Sequence, residues 1–417
     1  MSGLVKHFQN DMKNIPQLSN NWGSMINLLD KVLVEGFNFV PIISVVKSSS
    51  DAITATINLG SGHGFIDRQV VRIAGSTNGW DGDYKVLSAN TDSVVVECAA
   101  TNPIAINGAA SCSTAPLDFE FVFRTPAGST KPKRAYRSKD PKSLGLILLV
   151  HDFCVSGAAA TGAKFAKVGV VSSMRDIDTI TGTQMPYDPT NPNANWGWDG
   201  TYHGWAKWYY RTRSNSDTND YGSDSNPAMS GNSVFNLVGN SISFAIDMVH
   251  SNYNAFAVYA YCEFYDNKIK GNNLAILASG IQTKVPQNYQ YFYHWAMGGY
   301  HLCNEDTNES VSGAGLKLNG MMWFNENAVT AAQKMGRNLT FGSLNQSDPY
   351  GPINLKIVAG LPIFDSNNEA RGIMPFVKIT ASQNVEVAVS EIGKYANRYG
   401  WGSSEKFVKY ALLMEIT

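Results

Sequence analysis

The residues able to do covalent or metal chemistry are present but scattered. The seven histidines are His7, His63, His151, His203, His250, His294 and His301, and none stands four residues from a second ligand type in a convincing helical segment. His151–Asp152 is the kind of His-Asp pair that metal hydrolases use, but further His and Asp ligands on flanking helices would be needed, and the surrounding sequence is strand-like. Three carboxylates, Asp247, Glu263 and Asp266, lie in or beside apolar runs. A glycosidase needs two such groups facing each other across a cleft, a distance that spacing along the chain does not set. The plainer reading makes them turn residues and solvent-facing strand positions. No GxSxG elbow, P-loop, HExxH or helix-opening GxGxxG occurs. The expectation is a chain that is not an enzyme, with no cofactor and no metal.

One further segment could recognise a ligand. "NWGWDGTYHGWAKWYYRTR" holds Trp196, Trp198, Tyr202, Trp205, Trp208, Tyr209 and Tyr210. Flat rings among Asn, Asp and Gly suit sugars or partner surfaces, because they offer area at low entropy cost. Alternatively "WAKWYYRTR" is a strand whose alternate rings enter a core. Trp196, Trp198, Tyr202, Trp205 and Trp208 form the candidate recognition surface under the first reading.

The elements that must position these groups follow from composition and period. The 417 residues exceed one ordinary core. Hydrophobic residues make up 44% and charged residues only 16%, against about 25% in typical proteins. Polar surface must come from Asn, Ser, Thr and Gly, as in subunits packed against neighbours. The net charge is −1. The densest basic run, "KPKRAYRSK" at 131–139, reads as a solvated loop, so no nucleic-acid partner is expected. Cys98, Cys112, Cys154, Cys262 and Cys303 are odd in number and widely spaced, with no zinc or disulfide pattern. Cys262 reads as a reduced core residue, consistent with folding in a reducing cytosol. The N-terminus has no apolar stretch of the signal-peptide kind, and the longest apolar run, "LGLILLV" at 144–150, is too short to span a bilayer.

"LSNNWGSMINLLDKVLVEGF" predicts a helix near the start. Ser19 is a candidate N-cap, Trp22, Met25, Ile26, Leu29 and Leu33 fall at helical spacing, and Gly36 stands where a helix-ending glycine belongs. That apolar face either packs within its own fold or docks on a neighbouring subunit. The period then drops from 3.6 to 2 through "AITATINL", "QVVRIAG", "DYKVLSA" and "SVVVECA", with turn residues Asn78, Gly79, Asp81 and Gly82 between runs. Strand-like runs resume at Leu117 and continue to the tail, interrupted by a turn-rich insert at about 182–233. The fold class is mainly β, with minor α. It comprises an N-terminal helical segment (1–36), a small β-barrel or sandwich module (37–115), and a larger β-sandwich-like domain (116–417). The helix and the small module are expected to form one docking unit.

In chain order, several segments resemble a class of tailed-bacteriophage virion proteins. They are "LSNNWGSMINLLDKVLVEGF", "GHGFIDRQVVRIAGSTNGWDGDYKVLSANTDSVVV", "AYRSKDPKSLGLILLVHDF", "AKVGVVSSMRDIDT", "NLVGNSISFAIDMV", "YAYCEFYDNKIKGNNLAIL" and "NEARGIMPFV". The resemblance covers most of the chain outside the insert and 280–347, and its strength lies in the shared order. It implies a virion structural protein, tail-associated and assembled in the host cytoplasm. Size and layout are most similar to the non-contractile tail sheath of podoviruses that carry a virion RNA polymerase. Such a sheath implies homo-oligomer rings, contacts with tube, portal or adaptor and appendage proteins, and a host outer-membrane receptor as a candidate partner. The resemblance brings no functional residues with it. The competing readings are a carbohydrate-binding or depolymerising tail spike and a head-tail adaptor or decoration protein.

Overall fold

A computed structural model describes residues 4–153, 161–163, 165–185, 206–211, 227–249, 256–281, 320–323, 358–364, 369–381, 395–401 and 410–415. The fold is mainly β.

The alternating runs after residue 36 form one seven-stranded antiparallel sheet. Its order is Phe37–Pro41, Ser111–Thr114, Val70–Ala74, Gly82–Ala89, Ser93–Glu97, Thr54–Asn58, Ser44–Lys47. The first and last strands of that path are consecutive in the chain. Between them the Ile42 amide donates to Ala110 O and the Ile43 amide to Asn58 O, so the sheet rolls into a barrel. Period-2 alternation sets the inside. Val45, Ala55, Ile57, Val71, Ile73, Val86, Val94 and Val96 are buried together around Trp80.

Two further sheets, of seven and six strands, face each other. One runs Lys6–Gln9, Asn232–Gly239, Phe244–Val249, Phe256–Asp266, Gly271–Ile281, Gly320–Trp323. The other runs Phe119–Arg124, Lys133–Ser138, Ile147–His151, Phe165–Val171, Gln184–Met185, with Ala206–Tyr209 also paired to the Phe165 strand. Phe235, Leu237, Phe244, Ile246, Tyr259 and Tyr261 from the first meet Phe119, Tyr136, Leu148, Val150, Val168 and Trp208 from the second in a single core. The second sheet is covered on its other face too, where Ala135, Ile147, Leu149 and Val171 pack against Met174, Ile177 and Ile180. This explains why "LGLILLV" is apolar throughout: a strand buried on both faces has no polar alternate. A C-terminal sheet, in the order Val358–Phe364, Ala370–Ala381, Tyr410–Glu415, Tyr395–Trp401, adjoins the Phe256–Asp266 strand through its long second member.

The early helix occupies Ser24–Leu29 and continues as a wider π-type turn over Asp30–Glu35, where the Gly36 amide reaches back to Lys31 O. Gly36 has φ 75°, and a Cβ there would meet Thr114 O at 2.7 Å, so the glycine is required sterically as well as conformationally. Two expectations about this segment change, and one open choice is decided. The residue before the helix is Gly23 rather than Ser19, whose hydroxyl instead meets that of Ser24. The helix belongs to the large core and not to a unit with the barrel. Met25, Ile26, Leu29 and Leu33 are buried within the sandwich core and Trp22 packs on its margin, so this face is not free to dock on a neighbouring subunit. Strand Lys6–Gln9, in the same N-terminal segment, is likewise hydrogen-bonded into the large sheet beside Asn232–Gly239.

Candidate functional site

The helix start shows how the chain uses its polar groups. Gly23 has no side chain with which to cap, and the first amides of any helix lack intrahelical acceptors. Asp152 supplies the acceptor from 127 residues away. Its Oδ2 accepts from the Met25 amide (2.8 Å) and the Ile26 amide (3.1 Å), and its Oδ1 accepts from the Tyr210 hydroxyl (2.7 Å). Gly23 N donates to the Asp152 carbonyl (3.0 Å). The carboxyl is fully buried, and burial pushes its pKa up to about 6 despite the opposing bonds from Tyr210 and the Ile26, Met25 and Gly23 amides. Its neighbour His151 is half-buried at the end of the strand Ile147–His151, stacked on Phe153. Burial, with Lys133 and Lys167 nearby, holds the His151 ring well below the usual imidazole range. The pair is therefore a cap and a packed ring. Among the described residues no cluster of three His, Cys, Asp or Glu could hold a metal ion.

One turn further along, Asp30 accepts from Tyr136 Oη (2.6 Å) and from Arg134 Nε (3.0 and 3.1 Å). Burial raises the Asp30 carboxyl, with the Tyr136 and Arg134 bonds resisting. Arg134 lies within the basic run 131–139, which was expected to be a solvated loop. Its residues Lys133–Ser138 form a strand instead, and the cations are paired: Arg134 with Asp30, Arg137 with Glu120, and Lys133 with Asp178.

The three strand carboxylates are buried rather than solvent-facing. Asp247 accepts the Asn236 amide across the sheet (3.0 Å). Glu263 Oε1 accepts from the Ser143 hydroxyl (2.6 Å) and the Leu144 amide (2.9 Å), tying a loop of one sheet to a strand of the other, and burial raises its pKa. Asp266 Oδ2 accepts from Arg371 Nε (2.7 Å) and Asn273 Nδ2 (2.7 Å), clamping the C-terminal sheet to the Phe256–Asp266 strand. All three already serve as acceptors within the fold.

A fourth network joins barrel and sandwich. Asp83 accepts from Arg72 (2.6 and 2.9 Å) and from Lys6 (2.6 Å), and Arg72 also grips both oxygens of Asp118 (2.8 and 2.9 Å). Burial opposes the charge on Asp83, yet the Arg72 and Lys6 donors hold its pKa below the usual range. Lys6 comes from the large sheet, Arg72 and Asp83 from the barrel, and Asp118 from the segment that leaves it.

Trp208 is wholly buried, stacked on Tyr259 and edge-on to Phe244. It therefore leaves the candidate recognition surface and joins the core, as do Tyr209 and Tyr210. Trp196, Trp198, Tyr202 and Trp205 lie outside the described residues.

Among the described residues, the exposed large apolar side chains include Ile43 (71%), Ile53 (68%), Phe39, Ile104 and Val46 on the barrel and its loops, with Ile373 and Tyr265 exposed on the other sheets. Val46 bridges Ala105, and the Lys47 amide donates to Ile104 O, which places Val46 and Ile104 on adjoining segments. This surface had a sequence signal. In "NFVPIISVVKS" apolar residues come in pairs, Ile42–Ile43 and Val45–Val46. The strand Ser44–Lys47 can turn only one of Val45 and Val46 inward, so Val46 faces out, and Ile43 is exposed in the link just before that strand.

The class defined by these features is a mainly β chain: a barrel joined by a charged network to a sandwich that encloses one short helix. No family model matches the chain. No curated protein matches it. Among solved structures, the phage phi92 endosialidase aligns at 12% identity with a TM-score of 0.15, over 91% of this chain and 52% of that one. The chain spans about half the length of that protein, and a superposition of this quality carries no argument.

Proposed function

We propose that the chain is a structural, tail-associated subunit of a tailed-phage particle, arranged as a sheath of repeated copies around the tail, with a host outer-membrane receptor as a candidate contact. The observation that carries this reading is the exposed apolar set Phe39, Ile43, Val46, Ile53 and Ile104 on a barrel joined to the sandwich by the Lys6, Arg72, Asp83 and Asp118 network. Apolar surface of this kind favours partners, and closed rings let modest contacts add. The order of the virion-like segments supports the same reading. Its mechanism is assembly; no bond of a substrate is made or broken.

Mass spectrometry and electron microscopy of purified particles test it. The expected result is this chain in stoichiometric copies on the tail. Its absence from the particle overturns the reading, and copies confined to the head or to one head-tail ring move it to a decoration or adaptor protein. The spike reading rests on Trp196, Trp198, Tyr202 and Trp205. Binding of host polysaccharide that is lost in Trp198→Ala would favour it over the sheath.

A further inference from the structure

Lys47 ends the strand Ser44–Lys47, where alternation turns Val45 inward, Val46 outward and Lys47 inward again. The side chain is buried (3% exposed). Its Nζ donates to Ser50 O (2.9 Å), Ala100 O (2.9 Å) and Asn102 O (3.0 Å), with Ala99 O further off at 3.4 Å. An ammonium has three protons, so three short contacts and one long one satisfy it fully. No ion pair involves Lys47 among the described residues. The exposed Asp51 is the carboxylate that feels its charge. A buried cation is therefore held by neutral oxygens, from two loops about fifty residues apart in sequence.

The second loop is braced without the lysine. Asn102 Oδ1 accepts the Ala99 amide (2.9 Å), Asn102 N donates to Ala99 O (3.0 Å), and Asn102 Nδ2 reaches the Tyr84 hydroxyl (3.2 Å) and Gly79 O (3.3 Å). The carbonyls are thus aimed by the fold itself. Four neutral carbonyls without a carboxylate suit a weakly hydrated monovalent cation, whereas magnesium and calcium call for carboxylates or retained water.

We propose that the loops 48–53 and 99–104 form a monovalent-cation site whose ligand is built in. The Lys47 ammonium ties the two loops together, and when it is removed the same carbonyls accept free ammonium or potassium. The tie has a consequence at the surface, because Ile53 and Ile104, both exposed, ride on these loops. This inference does not depend on the assembly reading.

The test is the full-length Lys47→Met variant, melted in a differential scanning calorimeter. The salts are choline chloride, ammonium chloride, potassium chloride and magnesium chloride at matched ionic strength. The variant should melt below the wild type in choline, and recover saturably in ammonium and potassium but not in magnesium. The wild type should show only the general salt effect. A variant as stable as the wild type in choline, or one that responds equally to every chloride, overturns the proposal. Should the variant fold only in ammonium or potassium, that result supports it. Should it fold in none of the salts, acetylation of the folded wild type decides. Lys47 should react at least about tenfold more slowly than exposed Lys142, and equal rates overturn the proposal.

Discussion

In the barrel, the buried ammonium of Lys47 is ringed by carbonyl oxygens from two loops. In the sandwich, the buried carboxylate of Asp152 is ringed by amide and hydroxyl donors from a helix start and Tyr210. Neither charge depends on a salt bridge. The difference in sign follows from which backbone groups each region leaves over. A helix start leaves N–H groups and the positive end of its dipole, so it takes an anion. The loops at the barrel end leave C=O groups, so they take a cation. Asp266 with Arg371 is the contrasting case of opposite charges buried together, at the seam with the C-terminal sheet.

The comparison can be broken first at that pair. Asp266→Ala leaves Arg371 buried without its carboxylate, and the expected loss is about 3–5 kcal/mol in denaturant unfolding. A loss smaller than that of Asp152→Ala would mean that the paired and single buried charges are not different in kind. Asp152→Ala strips the acceptor from two amides and a hydroxyl, and about 2–4 kcal/mol should go with it. Hydrogen exchange should show the amides of Met25 and Ile26 losing protection before the barrel does.

Asp152 also carries a pH signature. Its carboxyl is raised from 3.8 to about 6 in the folded state. Below about pH 4 it is protonated whether the chain is folded or not. Between about 4 and 6 the folded chain keeps the proton and the unfolded chain has released it, so this group's contribution to stability falls as pH rises through the window. Above 6 the deficit is constant, at about 3 kcal/mol. Asp152→Asn has no proton to lose. Unfolding midpoints at pH 4, 5, 6 and 7 should show wild type losing ground to that variant as pH climbs, and parallel curves would refute the assignment.

The smallest effect is expected on the outer surface of the barrel. Ile53→Glu touches an exposed position, so its stability change should stay within about 0.5 kcal/mol. Light scattering should nevertheless show weaker self-association if the assembly reading holds. A large stability loss would show that Ile53 packs on something in its own chain.

Much of the scaffold was legible from period. The alternating runs became the barrel, and "SISFAIDMV" and "AFAVYAYCEFY" became neighbouring strands of the large sheet. Gly36 ends the helix as its position implied. The site-level reading fared differently, because it depended on partners distant in sequence. Nothing near Ser19 or Gly23 announces that Asp152 caps the helix, and nothing near Asp247, Glu263 or Asp266 shows that each meets a donor rather than water. For the early helix, packing within its own fold was the favoured expectation and docking on a neighbour the alternative, since an apolar stripe specifies burial but not by whom.

The linear chain by itself determined the strand-rich class, the turn positions and which side of each barrel strand is apolar, because those depend on steric and solvation preferences acting over a few residues. Folding in three dimensions decided that Trp208 is core, that the helix lies inside the sandwich, and that Lys47 and Asp152 can be buried at all. The first two rest on apolar side chains gathered from distant strands into one core, and the buried charges on hydrogen-bonding groups 53 and 127 residues apart, proximities that no local preference encodes.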